Sequence, residues 1–593
     1  MEQDPFTDLW NLGQPVLSTH LSALLVTLDE IRQHNEWLVN RETKYCPLIL
    51  DEDGNETRGP ETSSEDDGTA DGHYFAYELE SVQMCLGTIP MSRDLPNVVL
   101  TMLGMPGFTT SELQVSLEQD LHMGFYRPGE VHPRDLAAHY HCEMLFNTIF
   151  CGQSITMRAK NQAQTVRRST IESVVIPMFG MDDHTFSGLC SSLAEASLVQ
   201  KLTINGAFRP LTPTQRTWRW QWLTYALFSN ASRSSIEEIN LMGVQLSNAD
   251  IDAITEVLLT SLPEPDQTGA YTDGRMCVEY VYVPKGTSVG IRKSIASPND
   301  STTLNTIDDF VFRFLQDDGE NNLVNVLVPG RGNGVIASDH VRRVLDDDPE
   351  IPFQPNRSPN GITSLSLSID SNAEQDMSVL IEFLQLVGKS LLKLSIQTVG
   401  SGAMDIHAIL RACPNLDQLF LDNVSINLDT FMLEVESGDA DIRCFGLLYC
   451  NVPAEAMTRF AKKLADPESA LACGMRELCL SADNEVSPMT DENVQAFLNV
   501  LKTNDKLVYL DLLVLPPLFD KYAAAFRKHH QETLTIEKEK LPLRCRLSFL
   551  SVIRGHLTPV NDVFHHLDNH LLRHIFSFAA VSAKRTICLR CDH

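Results

Sequence analysis

Ile442-Arg-Cys-Phe445-Gly-Leu447-Leu-Tyr-Cys450-Asn-Val452 is the stretch on which the reading of the fold turns. Its apolar residues occupy the first, fourth and sixth positions. In a short strand the fourth and sixth side chains point to one side and are buried together, while the third, fifth and seventh face the other way. Downstream, Val452, Met457, Phe460 and Leu464 recur at helical intervals, so a helix is expected to carry the chain back after the strand.

Moving outward from this stretch, the same spacing recurs. It reads Ile362/Leu365/Leu367, Leu391/Leu394/Ile396 and Leu416/Leu419/Leu421 before it, then Met475/Leu478/Leu480 and Leu507/Leu510/Leu512 after it, with starts 25 to 33 residues apart. The return segment after Met475 carries Val494, Phe497, Leu498 and Leu501. Earlier instances are Ile171/Val174/Ile176, Val199/Leu202/Ile204 and Ile236/Ile239/Leu241. A strand–helix unit of this length cannot bury its own apolar face, so neighbouring units must stack.

These units resemble the leucine-rich-repeat family, in the strand–helix form of ribonuclease-inhibitor-like proteins. Cys450 fills the place where that family carries Asn or Cys, a side chain that there satisfies backbone groups as the strand turns away. Val244, Val399 and Val424 stand at that place in other units, so the repeats are degenerate. The resemblance implies an α/β leucine-rich-repeat solenoid, with a first degenerate block over 166–260 and the main block over 361–515. It also implies protein binding on the inner curve.

Between the blocks, residues 261–360 lose the spacing. Cys277–Val283, Gly286–Ile291, Phe310–Leu315 and Leu323–Val328 are β-rich, and the segment resembles a small SH3-like barrel inserted in the solenoid. Gly330-Arg-Gly-Asn-Gly334 reads as a hairpin turn. A phosphate-cradling loop would need a following helix and a Lys-Ser/Thr pair, and neither is present.

The flanks are less periodic. Residues 1–165 form an N-terminal region of mixed character, with an acidic loop over 51–72 and helical spacing at Pro15–Ile31 and Leu113–Leu121. Residues 516–593 read as a helical C-terminal cap, with an amphipathic helix over 561–580. Leu571–Phe578 resembles part of an F-box, which would imply a ubiquitin-ligase adaptor. Its position after the repeats and the missing Leu-Pro start favour the cap.

Composition narrows the function classes. The chain has 593 residues and a net charge of −31, a field that repels phosphate backbones and disfavours nucleic acid and anionic membranes as partners. No apolar run reaches the roughly 18 residues of a membrane span. The acidic start Met1–Pro5 lacks the basic and apolar parts of a secretory leader. The 14 cysteines, spread through apolar segments, suit reduced thiols in a cytoplasmic or nuclear protein.

Chemistry-bearing motifs are sparse. Cys588-Leu-Arg-Cys591-Asp-His593 could offer two thiolates to a metal, but no second CxxC completes four ligands. His566, His570 and His574 share a helix face and precede the cysteines. His139, His141, Cys142 and Glu143, with His132 nearby, do not converge from one helix. No nucleophile elbow, zinc-protease motif or Walker loop occurs. No catalytic residue, cofactor or metal is therefore expected, and a non-enzymatic interaction scaffold is the reading. A GTPase-activating or other enzyme-regulating repeat protein would need a reactive or finger residue, and none stands out.

The outward strand positions supply the candidate face: Lys393, Gln397, Gln418, Phe420, Asp422, Glu477, Tyr509 and Asp511. Phe420 and Tyr509 are aromatics of the type that anchors interfaces. The carboxylates around them call for a basic or mixed protein partner.

Overall fold

The computed structural model describes residues 46–50, 56–57, 73–85, 108–116, 146, 149–151, 170–177, 183–196, 199–206, 211–260, 280–292, 301–306, 310–318, 321–344, 361–369, 377–398, 402–482, 488–538 and 582–591. They belong to two compact units, Met1–Leu367 and Ser368–His593.

The first unit opens with β1 (Cys46–Leu50), β2 (Glu56–Thr57), β3 (His73–Cys85), β4 (Phe108–Ser116) and β5 (Thr170–Pro177). Then come α1 (Asp183–Leu193), β6 (Val199–Asn205), α2 (Pro213–Leu227), β7 (Glu238–Val244) and α3 (Asn248–Thr260). Strands β3 to β7 pair in parallel, each with the next. In β6 and β7 the apolar positions Leu202, Ile204, Ile239 and Leu241 are buried. Helix α2 starts where the sequence favours it: Thr212 and Gln215 form a capping box, and Pro213 sits in the first turn, where no intrahelical N–H is lost. Asp250 draws the helices together, accepting from Arg216 Nε at 2.8 Å and Thr217 Oγ1 at 2.6 Å.

The same unit holds a second sheet. It is built from β8 (Tyr280–Val283), β9 (Ser288–Arg292), β10 (Ser301–Asn305), β11 (Phe310–Asp318), β12 (Leu323–Val328), β13 (Gly332–Ala337) and β14 (Arg342–Val344). All its pairings are antiparallel, in the order β10-β9-β13-β12-β11-β8-β14. Val281, Val289, Phe312, Val326 and Ile336 meet in its own core. Residues 329–331 form the turn from β12 to β13, with positive φ at Gly330 and Gly332. β15 (Ser364–Ile369) begins beside β7, where the Thr363 and Ser364 N–H groups donate to Glu237 O.

The second unit continues with α4 (Met377–Val387), β16 (Lys393–Thr398), β17 (Ala403–Met404), α5 (Ile406–Ala412), β18 (Gln418–Asp422), β19 (Ser425–Ile426), α6 (Leu428–Ser437) and β20 (Cys444–Cys450). After these come α7 (Ala454–Leu464), α8 (Ala470–Gly474), β21 (Glu477–Ala482), α9 (Asp491–Thr503), β22 (Tyr509–Val514), α10 (Pro516–Arg527), β23 (Thr533–Lys538), β24 (Ser582–Lys584) and β25 (Thr586–Cys591). The parallel order is β16-β18-β20-β21-β22-β25. One sheet face packs under helices: Phe445 of β20 stacks on Phe431 of α6 with ring centroids 4.1 Å apart, and Phe460 of α7 stands at 6.1 Å. Leu394, Leu419, Leu478 and Leu510 share that buried side. Cys450 donates its S–H to Leu421 O and Leu448 O at the strand's end.

The expectation of a leucine-rich-repeat solenoid with a helical C-terminal cap is overturned. Both units build parallel sheet with helices, the first unit also holds a separate antiparallel sheet, and the last described element is a strand, β25. The spacing specifies which side of each strand is buried and that a helix makes the return. Any parallel α/β sheet with successive crossovers satisfies both conditions, so the spacing does not select a solenoid. Leu113, expected in a helix, lies in β4 instead, because β3 and β5 pair on either side of that segment.

The acidic loop 51–72 apart from Glu56 and Thr57, the helix at Pro15–Ile31, the His132–Glu143 cluster, and the segment 561–580 with its F-box-like run and histidines lie outside the described residues. No helix among the described residues is long and apolar enough to cross a membrane.

Candidate functional site

Strand register assembles the face opposite the helices into three rows. Lys393, Gln418, Cys444, Glu477, Tyr509 and Thr586 form the first. Ser395, Phe420, Gly446, Cys479, Asp511 and Cys588 form the second. Gln397, Asp422, Leu448, Ser481, Leu513 and Arg590 form the third. The structure thus brings Lys393, Gln397, Gln418, Phe420, Asp422, Glu477, Tyr509 and Asp511 onto one face. Gln397 and Glu477 are exposed, while Lys393, Gln418, Phe420, Asp422 and Tyr509 are half-buried.

Phe420 owes its position to a neighbour without a side chain. Its ring lies over Gly446 on the adjacent strand, in the space a Cβ there would fill. Beside it, Gln397 Nε2 donates to Asp422 Oδ2 at 3.0 Å. Burial raises the Asp422 carboxyl above its ordinary value, and the bond from Gln397 works in the opposite direction. Among the described residues no ion pair engages Asp422 or Glu477.

Toward β22 the face closes. Asp511, expected as an open contact, is only 8% exposed. Arg590 Nε donates to its Oδ1 at 2.7 Å, and Tyr509 OH donates to its Oδ2 at 3.4 Å. Ser481 and Leu513 are buried there too. Burial first, and then the Asp511 charge, raise the Tyr509 hydroxyl well above its usual range. Burial likewise pushes the Cys479 thiol up to about 11, so it is neutral at physiological pH.

Cys588 and Cys591 both lie in β25. Side chains three apart in a strand point to opposite sides, so the pair cannot close on one ion from a single turn. No group of three or more metal-ligating side chains converges among the described residues.

Two further features escape the sequence reading. Arg590 adds a base because β25 is part of the sheet, but the first position of the spacing there is Lys584, which breaks the pattern. The alternation Ile587/Leu589 was the remaining signal. Tyr449 is the other: it is 51% exposed and holds a positive φ of 51° where the β20–β21 register shifts between Leu448 and Cys450. A bulky residue in the left-handed region costs about 1–2 kcal/mol.

Comparison with family models and with curated proteins finds no match for this chain.

Proposed function

We propose that this chain is a non-enzymatic interaction protein that holds a protein partner of basic or mixed charge on the three-row face of its second unit. The observation that carries this reading is the seating of Phe420. A large aromatic fills the space beside Gly446 that a Cβ would take, on a face whose other side is filled by helices, with the polar Gln418 and Asp422 on its own strand. Rigid aromatics within a polar rim are where interface energy concentrates. Asp422 and Glu477 supply the charge that a cationic side chain of the partner would meet, and the net charge of −31 steers such a partner inward.

The test is affinity capture with the intact protein beside a variant carrying Phe420→Ala and Tyr509→Ala, followed by Kd measurement on a purified captured partner. Phe420→Ala is expected to weaken binding by an order of magnitude or more. Partner sets and affinities unchanged by the two substitutions would show that this face is not the working surface.

A further inference from the structure

The antiparallel sheet of the first unit is cohesive within itself and poorly satisfied where it is seated. Its inner side is apolar, whereas across its outer side Tyr280, Arg313, Leu327 and Asn333 stand opposite one another on β8, β11, β12 and β13. Arg313 reaches the helical layer, donating to Ala231 O at 2.6 Å and to Tyr225 OH at 3.3 Å. Its Nη2 forms an ion pair with Glu195, yet neither that nitrogen nor Glu195 Oε1 has a well-aligned hydrogen bond. Tyr280 OH faces the Arg313 guanidinium, while Asn325 Oδ1 and Asn333 Oδ1 are buried without partners on the sheet side, as are Ser192 Oγ and Thr224 Oγ1 on the helices. Burial works against the Arg313 charge, and Glu195 together with Tyr225 and Tyr280 more than offsets it.

Each buried unpaired group regains water when the contact opens, which favours opening by roughly tenfold per group. The topology permits such opening without unfolding. The chain enters through β8 and leaves through β14, which are neighbours in the sheet, with Arg342 opposite Tyr282. The points where the chain enters and leaves the sheet, Tyr280 and Val344, are therefore paired with each other, as in inserted modules.

We infer that the β8–β14 sheet is a releasable module: it lifts from α1 and α2 as a folded body, in a two-state equilibrium controlled by the Arg313–Glu195 pair. Release turns the Tyr280–Arg313–Asn333 row outward and frees Ser191. That serine accepts from the Gly330 and Gly332 N–H groups at 2.9 and 3.2 Å.

Those two amides report release directly, because they bond across the seat, whereas the β12–β13 ladder amides bond within the module. Residue-resolved hydrogen exchange on the full chain is the test. In the wild-type protein the Gly330 and Gly332 amides should exchange at least tenfold faster than the Val324–Val328 ladder. Glu195→Ala, which strands the arginine, should speed them roughly a further hundredfold and leave the ladder unchanged. Replacing both charges together, Arg313→Met with Glu195→Met, should slow them below the wild-type rate. Exchange of the two glycines in step with the ladder in every form would overturn the inference. So would fast exchange that neither variant moves, since that marks fraying of the turn alone.

Discussion

Gly446 and Cys450, four residues apart on one strand, do different work. Gly446 is the floor beneath Phe420, and a methyl group there would run into the ring. Gly446→Ala is expected to displace Phe420 and cost about 1–3 kcal/mol, read by urea titration together with a matching loss of partner affinity. Cys450 is a thiol in a carbonyl-lined site, and burial pushes it up to about 11. The folded state therefore keeps this proton when the unfolded state has lost it. Its contribution to stability is complete below the unfolded thiol range near 9 and is lost as pH rises toward 11, at up to about 1.4 kcal/mol per pH unit. Cys413 and Cys444, each raised by burial to about 12, act in the same direction. Denaturation measured from pH 8 to 10.5 should show stability falling with pH, and Cys450→Ala should shallow that fall. An equal slope in the variant would mean that this thiol does not titrate differently on folding.

Among the described elements, β25 leans on one side chain in particular. Arg585, just ahead of it, is buried. It donates to Leu501 O at 2.8 Å, Leu507 O at 3.0 Å, Asn504 O at 2.5 Å and Glu532 Oε2 at 2.8 Å. The guanidinium thereby satisfies carbonyls at the C-terminal end of α9, groups that a helix cannot bond internally, and pins the last strand to β22. Burial lowers its proton affinity, while Glu532 acts in the other direction. Arg585→Ala should lower the stability of the second unit by about 3 kcal/mol, because the carbonyls would be left buried and unpaired. Limited proteolysis should then cut within 582–591, and a protected segment in that variant would assign the anchoring to the ladder alone. The same element decides whether Asp511 is available, since Arg590 is the base that neutralises it.

For the whole molecule, the acidic excess is the property a partner meets first. A field of this sign accelerates encounter with a basic protein and is screened by salt. Association with a captured partner should therefore slow as ionic strength rises from 50 to 500 mM, while dissociation changes little, as checked by stopped-flow or surface kinetics. A rate independent of salt would leave Phe420 and its neighbours without electrostatic help and remove the argument for a basic partner. Within the first unit, the antiparallel sheet brings its own core, and its contacts with the helical layer include the Arg313–Glu195 ion pair and the Ser191 bonds to Gly330 and Gly332. That contrast makes it separable in a way the parallel strands are not.

Much of the strand positioning was legible in advance, since Leu394/Ile396, Leu419/Leu421, Phe445/Leu447, Leu478/Leu480 and Leu510/Leu512 all fall on the buried side of strands. Alternation in a strand is a local steric fact, so spacing alone assigns inside and outside. Spacing could not say how the strands assemble, because parallel pairing with helical returns is common to several architectures. It also could not find β25, whose first position is a lysine, or the Arg590 that strand contributes. By itself the sequence determined which side chains share a face and what charge surrounds them. Only the tertiary structure decided that Asp511 is closed off, that Gly446 seats Phe420, and that Thr586–Cys591 pairs with β22 as a strand. Each of these depends on residues far apart in the chain meeting at van der Waals distance, and no local pattern encodes such a meeting.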